Sequence, residues 1–417
     1  MNTCKSLFLT TTSILALTSL LPIKAANYYV STGGHDFSPG TVANAPWRTI
    51  QKAANTTAPG DTITIAGGYY NETVTMNGNG TPDFPITFLG TGLTVLEGNL
   101  YINGTNLIIN GFTVSPPSAG QASAISMAGA NNQLVNCTVV NYGATAYDRA
   151  TAISVGGSFN LVSGCTVHDL NDIDVFHVFG HDNTIFGCTV YNIRSLNYKA
   201  NHTDIFQTWD IGIATYSIVV DSCTVTNCSC QLGNTETSAT INVHDWTFRN
   251  NVFANIGSAF FSGVPRTLFY NNLFDRVGTE LGYAVSLYGD EPSYKSGGDE
   301  FINNVFLNSG QDIHIHDGYV PAPRNQNNRF SNQRGAPPPR QESTSGQVRV
   351  TSLRQAFEIL GIPPGRITLA DARAAYRARI AEYHPYKVAH LKPELRKLAA
   401  KKSLQINLAM QFIAERN

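Results

Sequence analysis

Between residues 112 and 328 one short strand-forming phrase keeps returning, as Cys-Thr-Val in the first half of the segment and Asn-Val-Phe or Asn-Leu-Phe in the second. Its leading position falls on Phe112, Cys137, Cys165, Cys188, Cys223, Asn251, Asn272, Asn304 and Asn328, at intervals that range from 21 to 35 residues. A repeat of that length, built from one strand-turn-strand unit, describes stacked coils whose turns absorb the length differences. Each coil also carries an earlier apolar strand, so that Ile125, Ile153, Val175, Ile205, Phe260, Val285 and Ile313 are expected to form one inward column. Strand side chains alternate between faces, which leaves the neighbours of that column displayed outward.

The segment lacks the 3.6-residue period of a helical solenoid, and Gly, Asn, Thr and Val dominate it. Tight hairpin signals, which a sandwich needs, are sparse. The fold class is therefore all-β, a parallel β-helix over residues 27–330. The front of the segment reads Tyr28-Tyr-Val-Ser-Thr-Gly-Gly, then Ala45-Pro-Trp-Arg-Thr-Ile-Gln-Lys-Ala, then Pro59-Gly-Asp-Thr-Ile-Thr-Ile. In this it resembles the right-handed parallel β-helix family of secreted, pectate-lyase-like proteins. The resemblance implies an opening strand, a cap helix around Trp47 to Asn55 that covers the open end of the core, and a polysaccharide as partner.

Charge divides the chain. Residues 348–417 hold 13 Lys+Arg against 5 Asp+Glu, leaving 15 against 24 for residues 1–347, although the whole carries only -1. Between the two lies Ser331 to Gln347, SNQRGAPPPRQESTSGQ, with linker composition. Residues 1–25 combine Lys5, an apolar run from Leu7 to Leu21 and small residues at Ala25 and Ala26. That is the pattern of a signal peptide cleaved near Ala25 or Ala26, and it predicts a secreted, periplasmic or cell-surface protein with no membrane span in the mature chain.

In an exported protein the cysteines admit two readings, buried thiols or disulfides. In-register parallel strands offer poor disulfide geometry, so Cys137, Cys165 and Cys188 are expected as a free-thiol ladder. One bridge is expected among Cys223, Cys228 and Cys230. Asn-x-Ser/Thr triplets recur inside the repeat and read as structural pairs.

Against the repeat, one patch departs from pattern. Where other first strands open on Ala, the third and fourth open on Asp174 and Asp204, and His177 and Gln207 follow at the fourth position. On rungs about 4.8 Å apart these two carboxylates would face each other. Such a pair needs a cation or a shared proton. Two chemistries follow. Asp172, Asp174 and Asp204 supply oxygen ligands for Ca²⁺. Alternatively, Asp174, His177, Lys199, His202 and Asp204 form an acid/base group able to take the proton alpha to a uronate carboxylate. Phe176, Phe206, Gln207, Trp209 and Arg194 are the expected substrate contacts. A third reading has the two aspartates capping strands by binding turn amides. His314, His316 and Asp317 form a second, terminal cluster.

Beyond residue 348 the period becomes helical, with stripes at Leu353, Phe357, Leu360, then Leu369, Ala372, Tyr376, Ile380, then Leu395, Leu398, Leu404 and Phe412. The segment resembles a J-domain, through Glu358-Ile-Leu-Gly-Ile-Pro-Pro-Gly, Ala374-Ala-Tyr-Arg-Ala-Arg-Ile-Ala-Glu-Tyr-His-Pro and Ile406-Asn-Leu-Ala-Met. The resemblance implies a small helical bundle that contacts a DnaK-type chaperone through His384, Pro385, Arg373, Arg377 and Lys387. Tyr386 stands where the family has aspartate, which predicts loss of ATPase stimulation. No nucleic-acid partner is expected.

Overall fold

The computed structural model describes residues 25–117, 123–141, 150–196, 202–238, 240–289, 296–309, 313–319, 321–331 and 352–363, with residues 371, 375 and 379. The chain divides into two units, Met1–Arg334 and Gly335–Asn417. Unit one is a parallel β-helix: 29 strands join one continuous array, and successive coils pair in parallel register.

The recurring phrase marks a corner of the coil. Its leading residue stands one place before the paired series Thr113, Thr138, Thr166, Thr189, Thr224, Val252, Leu273, Val305 and Arg329. The residue before it turns left-handed in every coil: Gly111, Asn136, Gly164, Gly187, Ser222, Asn250, Asn271, Asn303 and Asn327. Glycine and asparagine tolerate that conformation, which explains why they recur there. The corner then places the leading side chain inside, where Cys137, Cys165, Cys188, Cys223, Asn251, Asn272 and Asn304 are all buried.

Buried asparagines must satisfy four hydrogen-bonding positions each. They do so rung to rung: Asn251 N–H donates to Asn272 Oδ1 (3.1 Å), Asn272 N–H to Asn304 Oδ1 (2.9 Å), and Asn304 N–H to Asn328 Oδ1 (2.8 Å). A second ladder, absent from the sequence reading, runs through Asn132, Asn160 and Asn183 at another corner. All six described cysteines are free and buried. The thiol ladder is as expected, and the expected bridge among Cys223, Cys228 and Cys230 is not formed.

The inward column differs from expectation in its middle. Ile125 pairs with Ile153, Ile153 with Phe176, Phe176 with Phe206, Phe206 with Gly233, and Gly233 with Phe260. Val175 and Ile205 therefore lie one position out of that column, and a whole rung, Gln231–Thr235, belongs between Phe206 and Phe260. Phe176 and Phe206 stack on each other at 5.5 Å, and Phe206 meets Phe248 and Phe253 from other walls of the coil. Further stacks run Phe248, Phe269, Phe301 and Phe274, Phe306, Phe330, with Phe253 tilted against Phe274. Burying one such ring contributes about 3 kcal/mol, so these ladders are a main source of cohesion.

At the first coil a short helix, α1 (Ile50–Ala54), inserts Ile50 and Ala53 into the core. Its N-terminal amides are held by Thr49, which accepts from Lys52, and by the Glu72 carboxylate, which accepts from Ile50 and Gln51. Trp47 precedes the helix and stacks on Tyr28 at 4.6 Å.

In unit two a single helix is described, α2 (Leu353–Leu360), capped by Ser352 and closed by left-handed Gly361. A J-domain is not shown. Arg373, Arg377, His384, Pro385 and Lys387 lie outside the described residues, as do residues 1–24 of the expected signal peptide and residues 332–347 of the linker. No helix among the described residues is long and apolar enough to cross a membrane.

Candidate functional site

The patch singled out by the sequence is one connected cluster. Strand Asp174–Val178 lies between strands Thr151–Val155 and Asp204–Thr208. Asp174 pairs with Thr151 rather than with Ala152. The aspartates thus do not replace the alanines. They open the strand one residue earlier, and Val175 continues the alanine column.

The two carboxylates have different fates. Asp174 Oδ1 accepts the backbone N–H of Asp204 at 2.7 Å, and its Oδ2 meets His177 Nε2 at 2.8 Å. Both oxygens are committed, and the His177 side chain is 5% exposed. Trp209 presents its ring edge-on to His177 at 5.0 Å and to Phe179 at 4.9 Å. This half of the cluster is a closed support, as the strand-capping reading expects.

Asp204 is fully buried, and its Oδ2 meets His202 Nδ1 at 2.6 Å. Its Oδ1 is buried with no partner among the described residues. Burial is the main force on this carboxyl and lifts it from 3.8 to about 7, with the nearby Asp174 charge adding to the rise and His202 opposing it. His202 moves the same way, to about 9, chiefly because its hydrogen bond to Asp204 favours the imidazolium. Between these two values the pair is ionised on both sides. The His202 side chain is 49% exposed, so it alone carries the cluster's charge to solvent. With Nδ1 bound to Asp204, Nε2 is the atom left for a ligand.

Of the other expected residues, Gln207 is buried in register with His177 and Asn234. Phe176 and Phe206 are interior, so they are core and not substrate contacts. In the observed register His177, not Phe176, stands beside Ser154, and Ser154 stands beside Ser126. Arg194 ends strand Thr189–Arg194, exposed at the same corner. Lys199 lies outside the described residues.

The three aspartates expected to hold Ca²⁺ do not make an oxygen cage. Asp172 sits in a left-handed turn and accepts the Leu196 N–H at 2.7 Å, and Asp174 is occupied as above. Among the described residues no group of three or more His, Cys, Asp or Glu is placed to hold a metal ion. In the terminal cluster, His314 and His316 meet edge to face, and His316 Nε2 is bonded to buried Ser286 at 2.9 Å.

The sequence reading missed the rung Gln231–Thr235 that completes the floor, where Asn234 donates to Glu236 at 2.9 Å. Its signal was present, since Gly233-Asn-Thr ends a strand that starts with the Cys223 phrase and runs on without a break.

Neither a protein-family model nor a curated protein sequence matches the chain. Solved structures do. One, "Rhamnogalacturonan lyase", aligns with a TM-score of 0.53 at 16% identity, over 73% of this chain and 87% of that one. Another, "The complex structure of XylC with xylose", aligns with a TM-score of 0.52 at 15% identity, over 82% and 81%. At such identities the likeness establishes the β-helix fold.

Proposed function

We propose that this chain is an exported polysaccharide-active protein whose reactive group is the His202–Asp204 pair, and that its reaction is elimination on an acidic polysaccharide. The observation that carries the reading is the contrast within the pair: a wholly buried carboxyl group bonded at 2.6 Å to Nδ1 of a half-exposed imidazole. In elimination, a base takes the proton alpha to a uronate carboxylate, the freed electron pair becomes a C=C bond as the bond to the leaving oxygen breaks, and that oxygen takes a proton from water. A cation bonded to that carboxylate stabilises the charge that develops, and it is worth most where water is displaced. His202 Nε2–H supplies that cation, and Asp204 keeps it charged and oriented. Asp174 and His177 act through Asp204, by fixing its backbone. Lys199 remains the proposed base. Proteins of the same fold include one called a rhamnogalacturonan lyase and one described in complex with xylose, in keeping with a sugar polymer as partner.

Incubation with a panel of acidic polysaccharides, followed by ultraviolet absorbance of unsaturated uronate ends, tests the reading. Turnover by the wild type is expected on at least one polymer, with a loss of about 100-fold or more for His202→Gln, the range for removal of one group that stabilises developing charge. Absence of product from every polymer would refute it. A non-enzymatic scaffold is the second reading, favoured by the saturation of Asp174 with protein partners. Under it, His202→Gln alters stability alone.

A further inference from the structure

A shallow groove runs over the outside of the coil. The left-handed residues of one corner, Asn192, Asn227, Asn255 and Arg276, stand on four successive rungs and line it. Arg194 and Ser229, in register with each other, form its near end. From Arg194 to Arg276 is three rungs, about 14 Å along the axis. The groove is tied to the pair by the chain itself. Ser195 N–H donates to Ser229 O, and Gln231 N–H donates to Thr203 O, so the segment that carries His202 leaves and rejoins the stack within two residues of Ser229.

The lining sets a row of hydrogen-bonding side chains against the apolar surface of Cys228, Ile256 and Gly257, with a guanidinium at each end. Asn255 donates to Asn227 Oδ1 at 3.1 Å, and Arg276 Nε donates to Asn255 Oδ1. Arg276 is also paired with Asp275 at 2.7 Å. Arg194 is exposed and makes no salt bridge among the described residues, although its charge acts on the nearby Asp169 carboxylate. A planar guanidinium binds a carboxylate through two parallel hydrogen bonds, which an ammonium cannot reproduce. Side-chain amides suit sugar hydroxyls, which both donate and accept.

We infer that this groove binds successive residues of an acidic polysaccharide laid along the coil axis, with Arg194 holding the carboxylate of a uronate next to the reacting one. The inference rests on the proposed elimination chemistry, to which it adds a binding track and a residue that selects charged sugars. Arg276 contributes less, because Asp275 already neutralises much of its charge.

Calorimetric titration of the His202→Gln chain with oligogalacturonate, alginate oligomers and neutral xylo-oligosaccharides tests it without turnover. Arg194→Gln is expected to weaken binding of the acidic oligomers by about ten-fold, with a smaller loss for Arg276→Gln and with affinity falling as salt rises. Arg194→Lys is expected to recover only part of the loss. Neutral oligomers should bind weakly and equally to all variants. Acidic oligomers that bind unchanged to Arg194→Gln, or that fail to bind the parent chain, would overturn the groove assignment. Product release by the wild type, measured separately, tells that failure from a failure of the elimination reading. Thermal melts of each variant confirm that an exposed side chain was removed from a folded protein.

Discussion

At the scale of single residues, the His202–Asp204 pair couples protons to both activity and stability. Asp204 ionises at about 7 and His202 loses its proton at about 9, so the ion pair is complete only between those values. A reaction that needs the imidazolium on a charged partner should show a bell-shaped profile bounded by them. Both shifts are upward from the values of an unfolded chain, 3.8 and 6.5. The folded state therefore holds protons that the unfolded chain has released, and stability falls as pH rises through each window. The stabilising share of Asp204 is complete below its unfolded value and lost by about 7, and that of His202 is complete below 6.5 and lost by about 9. Asp299 adds to the lower window, since burial lifts it to about 6 even though Thr267 N–H and Tyr319 O–H bond to it. Melting temperatures recorded across this range should decline steadily for the wild type. Asp204→Asn should flatten the decline above about 7, where the Asp299 transition, centred near 6, is largely over. A slope unchanged in that variant would show that the pair is not the proton-linked group.

At the scale of the repeated element, one column of the coil is built from two materials. Cysteine fills it in the first half as a small buried hydrophobe, and asparagine fills it in the second as a hydrogen-bonded ladder. The costs of removal should differ accordingly. Asn272→Ala strips partners from Asn251 and leaves the Phe248 carbonyl unpaired, which costs about 3 kcal/mol. Cys165→Ala removes one sulfur and little else, about 1 kcal/mol of burial. Urea midpoints of the two variants check the ordering, and a larger loss for Cys165→Ala would contradict it. The column itself was legible in the sequence because a left-handed corner favours Gly or Asn, which precede its leading residue in every coil but that of Ser222. The first strands were less legible. Nothing in Asp174-Val-Phe-His says which of two adjacent apolar residues points inward, and a one-residue slip exchanges the two faces. That slip put Phe176 and Phe206 on the displayed side. The candidate site survived it because His202, Asp204, Asp174 and His177 are close in space in either register, whereas the groove of Asn192, Asn227, Asn255 and Arg276 needs the coil alignment before it can be seen.

At the scale of the whole molecule, the signal-peptide cleavage expected from the sequence bears on folding at the first strand. Ala26 belongs to the stack: its N–H donates to Asp61 Oδ1 at 2.8 Å, and its carbonyl accepts from Thr62 at 2.9 Å. Asp61 is buried, and its other oxygen accepts the Ala58 N–H, so this carboxylate is fixed in place. Of the two cleavage positions consistent with the sequence, only one preserves this contact. Cleavage after Ala25 makes Ala26 the new N-terminus and sets an ammonium against Asp61, turning a neutral donor into a charged one. Cleavage after Ala26 removes the contact and leaves a buried carboxylate oxygen unpaired. Hydrogen bonds between charged groups contribute about 1.5 to 3 kcal/mol, so the first outcome seals the start of the β-helix and the second loosens it. N-terminal sequencing of the exported chain should begin at Ala26. Asp61→Asn should then lower the unfolding free energy of the mature chain by about 2 kcal/mol, and by less in a form that keeps Ala25, where the amide donor is uncharged. A mature chain that begins at Asn27, or equal losses in the two forms, would rule out the N-terminal ion pair.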